Sequence, residues 1–181
     1  MPNKVTNIVK LQHSDSALIF KAVSGFNSTG VLRALLPIPN ELEIDFSDEN
    51  VDLIRNSNKT KFGYYDKYEF CINEWGCTRD IDSTCLKAEV DGNTTVFEFD
   101  TIINPPFDVY DTLVELGFDV VSYYYEPDLK YCGIWDNGLN DSVDFSGYSS
   151  KVVKNLIDPE LDSMFGISES IVEIEEEQEY M

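Results

Sequence analysis

The sequence predicts an α+β fold: one antiparallel sheet with helices laid across it. Three observations carry this. Val96, Glu98 and Asp100 alternate with Phe97, Phe99 and Thr101, the period of a strand with one buried face. Phe107, Tyr110, Leu113 and Val114 then recur at helical spacing up to Gly117, a residue suited to a left-handed helix end. Phe118–Tyr125 follows, a run of β-branched and aromatic residues that reads as a second strand.

In chain order, Val5, Asn7, Val9 and Leu11 predict a first strand. Ser14 is expected to cap a helix with Asp15 in its first turn, and Leu18, Ile19, Ala22, Val23 and Phe26 form its apolar stripe. Val31–Leu36, closed by Pro37 and Pro39, reads as a short second strand. A large insertion follows at about residues 40–91. It is acidic at first, polar and basic over Arg55–Lys61, then aromatic over Phe62–Phe70, with a strand expected at Cys85–Val90. Asn104 is expected to cap the next helix, with Pro105 and Pro106 in the first turn, where a missing N–H costs nothing. Pro127-Asp128 turns the chain back into Lys130–Asp136, an extra C-terminal strand ended by Asn137-Gly138. The order βαββαβ is that of a ferredoxin-like split unit. Residues 1–140 are thus expected to form a ferredoxin-like domain. Residues 141–181 would be an acidic C-terminal extension, helical over Ser149–Ile157 and prolonged through Leu161, Met164 and Phe165. Its last stretch, Ile171–Glu179, would be an edge strand or disordered.

Length and composition bound the function. The chain has 181 residues, 43% hydrophobic and 13% aromatic, which suffices for one real core. No apolar run reaches the ~18 residues of a membrane helix, and the start lacks a signal-peptide core, so a host-cytoplasmic protein is expected. Cys71, Cys77, Cys85 and Cys132 then read as reduced thiols. Thirty-four acidic residues against thirteen Lys and Arg give a formal charge of −21. A chain of this length has a radius of gyration of about 16 Å and is roughly 40 Å across. Duplex DNA carries about 24 charges over that span. A basic nucleic-acid-binding surface is excluded as the general mode. Solubility by self-repulsion, or attraction to proteins that normally hold nucleic acid, is what such a charge favours.

Several segments occur in an ordered set: Met1-Pro-Asn3, Leu35–Leu42, Glu74-Trp-Gly76 with Asp80, Phe99–Pro106, and Tyr125-Glu126 followed by Gly133. Over Met1–Gly138 the chain resembles the YubB-type ferredoxin-like family of phages and conjugative plasmids. Where that family has Trp-Gly-Thr-Lys-Trp-Asp, this chain has Cys77, Thr78 and Arg79 in the middle. The resemblance implies a fold and a mobile-element setting, not a reaction.

The residues offer little for catalysis. His13 is the only histidine, has no marked partner, and reads as a capping or surface residue. Gly25–Gly30 has the glycines of a phosphate loop without its Lys-Thr ending. No Cys-x-x-Cys pair marks a metal. The expectation is a non-enzyme without cofactor or metal. Trp75, Asp80, Tyr125 and Glu126 form the family-motif patch: either a partner contact, or a core plug (Trp75) beside a loop held by Asp80. The reading is a binding inhibitor of a basic host complex, of the CRISPR or restriction class, whose carboxylates imitate DNA phosphates. The partner-binding candidates are Glu41, Glu43, Asp45, Asp48, Glu49, Asp52, Glu173, Glu175, Glu176, Glu177 and Glu179. The alternatives are a nucleic-acid accessory module that stacks bases on Tyr64, Tyr65, Tyr123 and Tyr125, or a phage protein with no inhibitory role.

Overall fold

A computed structural model describes residues 4–81 and 87–179 of the chain. One open, fully antiparallel sheet runs through it: β1 (Lys4–Gln12), β2 (Lys87–Asp91), β3 (Thr94–Ile102), β4 (Asp119–Glu126), β5 (Tyr131–Asp136) and β6 (Leu139–Asp144), in the order β2-β3-β1-β4-β5-β6. The protein is therefore an α+β structure, with two helical layers on opposite faces of the sheet.

One face carries the main core. Val5, Val9, Leu11, Phe97, Phe99, Val120, Tyr124 and Trp135 alternate inward from five-residue or longer strands. Over them lie α1 (Ser16–Phe26), with Ile19, Ala22 and Phe26, and α5 (Phe107–Glu115), with Val109, Tyr110 and Leu113. Phe26 stacks on Phe97 at 4.4 Å. The opposite face is covered over β4, β5 and β6 by α6 (Ser150–Leu156), α7 (Pro159–Phe165) and α8 (Ile167–Glu179). There Val153, Ile157, Leu161 and Ile167 meet Tyr123, Tyr125, Cys132, Ile134 and Val143. These two faces explain why β4 is apolar at every position from Val120 to Tyr125 except Ser122, a run that neither face alone would require.

Several expectations are corrected. Val31–Leu36 is not a strand: α2 (Val31–Leu35) occupies it, because Asp80 caps its open N-terminus, accepting from Leu32 N at 2.8 Å and Arg33 N at 2.7 Å. Asp15, not Ser14, caps α1, accepting from Ala17 N at 2.9 Å. Asn104 does not cap α5. Pro106 stands in that position, and its carbonyl takes Val109 N and Tyr110 N. The insertion holds two helices, α3 (Val51–Phe62) and α4 (Lys67–Glu74), and Asp66 caps the second while pairing with Arg55 at 2.9 Å. The strand expected from Cys85 begins within the described residues at Lys87.

Asn137-Gly138 does not end the sheet. With φ of 45° and 94° these two residues make a primed turn into β6, so two strands follow β4 rather than one. Ile171–Glu179 is neither edge strand nor disordered but part of α8. Gly166, at φ 62°, stops α7, and Asp162 accepts from Ser168 N and Ser168 Oγ at 2.7 Å each to start the next helix. Among the described residues no helix is long and apolar enough to cross a membrane.

Candidate functional site

Two of the sequence segments singled out above, Glu74–Gly76 with Asp80 and Phe99–Pro106, meet around one loop. The loop Gly76–Ile81 leaves α4 and faces the end of β3 and the entry to α5. Between them lies a cleft of about 670 Å³, lined among others by Ile72, Arg79, Asp80, Ile102, Asn104 and Asp108. Behind it, the Tyr131 hydroxyl donates to the Ile103 carbonyl at 2.7 Å. Ile103 has φ 76°, a left-handed conformation that a β-branched side chain resists at a cost of ~1–3 kcal/mol. The hydrogen bond from β5 helps to hold it there. A buried polar chain reaches the same wall from the core. Ser122 Oγ donates to Tyr110 Oη at 3.1 Å, Tyr110 Oη to Asn7 Oδ1 at 3.3 Å, and Asn7 Nδ2 to Thr101 Oγ1 at 3.0 Å. Burial pushes the Tyr110 hydroxyl far above the usual phenol range, so it is a permanent donor.

The four motif residues are fixed by this architecture. Trp75 is 3% exposed and its Nε1 donates to the Leu36 carbonyl at 3.0 Å. Asp80 gathers three backbone N–H groups, those of Leu32, Arg33 and Ile81. Any side chain at Gly30 would collide with it, a Cβ lying 2.2 Å from Asp80 Oδ2. Tyr125 is packed under the C-terminal helices against Phe145 and Phe165. Glu126 is wholly buried at the end of β4. One carboxylate oxygen accepts from Leu129 N, and the other has no hydrogen-bond partner among the described residues. Of the four, Asp80 alone lines the cleft.

Of the aromatics considered for base stacking, Tyr123 donates to Glu160 at 3.1 Å beneath α7, and Tyr125 lies beside it in the same apolar layer. Tyr64 is bonded to Glu74. Tyr65 sits on the insertion, not on the sheet, with Arg55 and Lys59 over its ring at 5.5 and 4.9 Å. The structure does not assemble these four into one platform.

The acidic candidates divide by their partners. Glu41 pairs with Lys61 at 2.8 Å and Glu43 with Arg33, and these contacts hold both carboxyls below their ordinary range. Asp45 accepts from Ser47 N and Oγ, and Asp48 from Asn50 N, each shaping a local turn. Glu49 and Asp52 are exposed at the start of α3. On α8, Glu175 turns inward and caps α6, accepting from Ser150 N at 3.0 Å and Ser150 Oγ at 2.6 Å. Glu173, Glu176 and Glu177 face solvent together with Glu169, which the sequence reading did not include. Their spacing of four, then three or four, puts them on one stripe with about 6 Å of rise between Glu169, Glu173 and Glu177. Glu179 closes α8, its side chain outside the described set.

Residues 101–181 hold eighteen acidic residues against three lysines, whereas residues 1–100 hold sixteen against ten Lys and Arg. All five ion pairs among the described residues lie in the first hundred positions. The C-terminal half therefore carries most of the net charge without neutralising contacts.

His13 uses Nδ1 to accept from Asp15 N at 2.9 Å, with its ring tilted on Phe118 at 4.9 Å, so it braces the start of α1. Among the described residues no three His, Cys, Asp or Glu side chains come close enough to hold a metal ion. Cys77 lines the cleft, where burial pushes its thiol up to about 11; its Sγ donates to the Arg79 carbonyl at 3.0 Å. A raised thiol pKa leaves little thiolate at neutral pH. Alkylation of Cys77 by iodoacetamide is accordingly expected to be slow at pH 8 and to accelerate only as pH rises towards about 11. Mass-spectrometric labelling rates across pH check this; fast labelling at pH 7 would remove the argument. No family model, curated protein or solved structure matches the chain.

Proposed function

We propose that the chain is a ferredoxin-like protein of a phage or conjugative plasmid that binds a basic, nucleic-acid-handling host complex and keeps it from its polynucleotide. A defence complex of the CRISPR or restriction class is the target that the mobile-element resemblance favours. The strand order β2-β3-β1-β4 with α1 and α5 on one face supports the split βαββαβ assignment, with the β5-β6 hairpin and α6–α8 as additions.

One observation carries the binding reading: the unneutralised carboxylates of the C-terminal half. Charge kept only for solubility needs no particular place on a surface. Here four of the five ion pairs among the described residues involve the insertion, and the exposed stripe of α8 has none. Such an array attracts Lys and Arg that normally hold phosphates. The packing of Tyr123 and Tyr125 gives the base-stacking alternative no comparable support.

The test is a salt titration of binding to purified restriction and CRISPR complexes, with duplex DNA as competitor. Affinity is expected to fall at least about tenfold between 50 and 300 mM salt as the Debye length shrinks, and DNA is expected to displace the protein. The quadruple exchange of Glu169, Glu173, Glu176 and Glu177 to Gln should weaken binding while leaving the melting temperature unchanged or higher. Salt-independent affinity, or a ternary complex with DNA, would overturn the proposal.

A further inference from the structure

We infer that the cleft between α4 and the start of α5 is an anchoring pocket for the partner protein. It takes an aliphatic side chain of the partner from a segment that also carries Lys or Arg. This rests on the binding reading above and states what that partner must present.

The cleft has the size of a ligand pocket, and its walls mix polar groups with exposed aliphatic ones. Ile72 and Ile102 line it, and Ile103 follows Ile102 in the chain, between it and Asn104 of the lining. These three are 57%, 55% and 57% exposed, while Val109, deeper in, is 1% exposed. A small molecule confined to the cleft would leave the isoleucines wet. A polypeptide lying across the rim would cover them, and removal of that apolar surface from water drives association.

The charges select the sign of the occupant. Asp80 is satisfied by backbone N–H groups, and Asp100 by Lys4 at 2.7 Å and Thr6 at 3.0 Å. Asp108 lines the cleft with no hydrogen bond or ion pair to its carboxylate among the described residues. An anion is disfavoured. Asp108 already stands in the first turn of α5, where a phosphate would sit, and three carboxylates in the lining outnumber Arg79. The Asn104 side chain, released from capping, adds an amide that can bond a partner's main chain. The partner segment is therefore apolar with a cation beside it, the composition of a basic protein groove.

The experiment uses the full chain with labelled isoleucine methyls, titrated with two short peptides, one alternating Leu and Lys, the other alternating Gly and Lys. The leucine peptide is expected to shift the Ile72, Ile102 and Ile103 signals in one saturable process, at least fivefold tighter than the glycine peptide. Ile102→Ser and Ile72→Ser should each weaken it about tenfold, and Asp108→Asn about fivefold, the range of interface anchors. Leu53→Ser, on exposed α3, should change nothing. Melting curves confirm that the variants fold; two independent isoleucines guard against one that does not. If both peptides bind in a salt-dependent way without moving these methyls, the pocket is refuted and the charge reading stands. If neither peptide binds, or salt has no effect, both fall. Methyl shifts with inorganic phosphate alone would also refute the pocket, making it an anion site.

Discussion

Trp75→Ala is expected to destabilise the protein by about 3–5 kcal/mol, the range for deleting a buried indole. The side chain is 3% exposed and ends in a hydrogen bond to the Leu36 carbonyl, which the exchange would orphan. Its ring meets Phe70 edge-on at 6.4 Å, and its own carbonyl accepts from Thr112 Oγ1 at 2.7 Å. Trp75 thereby ties α4 to α2 and α5, the elements around the cleft. Urea denaturation measures the loss, and Trp75→Phe should recover part of it by refilling the cavity without the N–H. An exposed binding anchor would behave in the opposite way, losing partner affinity at unchanged stability. A variant as stable as the parent would show that the indole serves recognition rather than packing.

What the sequence made legible follows the reach of each signal. β1, α1, β3, α5, β4 and β5 were readable because their periodicity is local, and each strand or helix shows its buried positions in its own residues. α2 was not, because Gly30 offers no capping side chain and the cap comes from Asp80, 48 positions beyond the Leu32 N–H it takes. Val31–Leu36 alone resembles a strand. β6 was announced by Asn137-Gly138, the strongest short hairpin signal, but Asn140, Asp141, Ser142 and Asp144 hid it. As an edge strand with five of its six residues exposed, it needs no apolar alternation. In α8, Ile171, Val172 and Ile174 suggested a strand. The helix is instead set by Ile167 and Ile171 packing at a spacing of four and by a glutamate-rich run with good helix propensity. The cleft was half legible. Asp80 and the Phe99–Pro106 segment with Ile102 were singled out, whereas Ile72 and Asp108 sit on two separate helices and carry no mark until the chain folds.

Gly133→Ala is expected to cost about 3 kcal/mol or more, since the added methyl has nowhere to go. Its Cβ would lie 2.2 Å from Tyr124 Oη and 2.5 Å from the Asp141 carbonyl oxygen. Tyr124, directly opposite on β4, crosses this glycine to donate to Asn140 Oδ1 at 2.7 Å. Burial pushes its hydroxyl up to about 12, so the donor is present at any pH the fold meets. Swinging the ring aside would break that bond and disturb its edge-on contacts with Phe107 at 5.7 Å and Tyr131 at 6.1 Å. The double variant with Tyr124→Phe isolates the hydroxyl's share of the clash. Removing the hydroxyl relieves only that contact, because the ring's Cζ, also 2.5 Å from the added methyl, remains and the Asp141 oxygen belongs to the paired backbone of β6. The double-mutant cycle should therefore return a favourable coupling that falls short of full rescue. Complete rescue would mean that β6 yields freely and that only the hydroxyl demands a glycine. Displacing β5 also moves Tyr131, whose hydroxyl holds Ile103 between Ile102 and Asn104 of the cleft lining. The same variant, if it stays folded, should shift the Ile103 methyl signal, a direct readout of how the extra hairpin supports the candidate site.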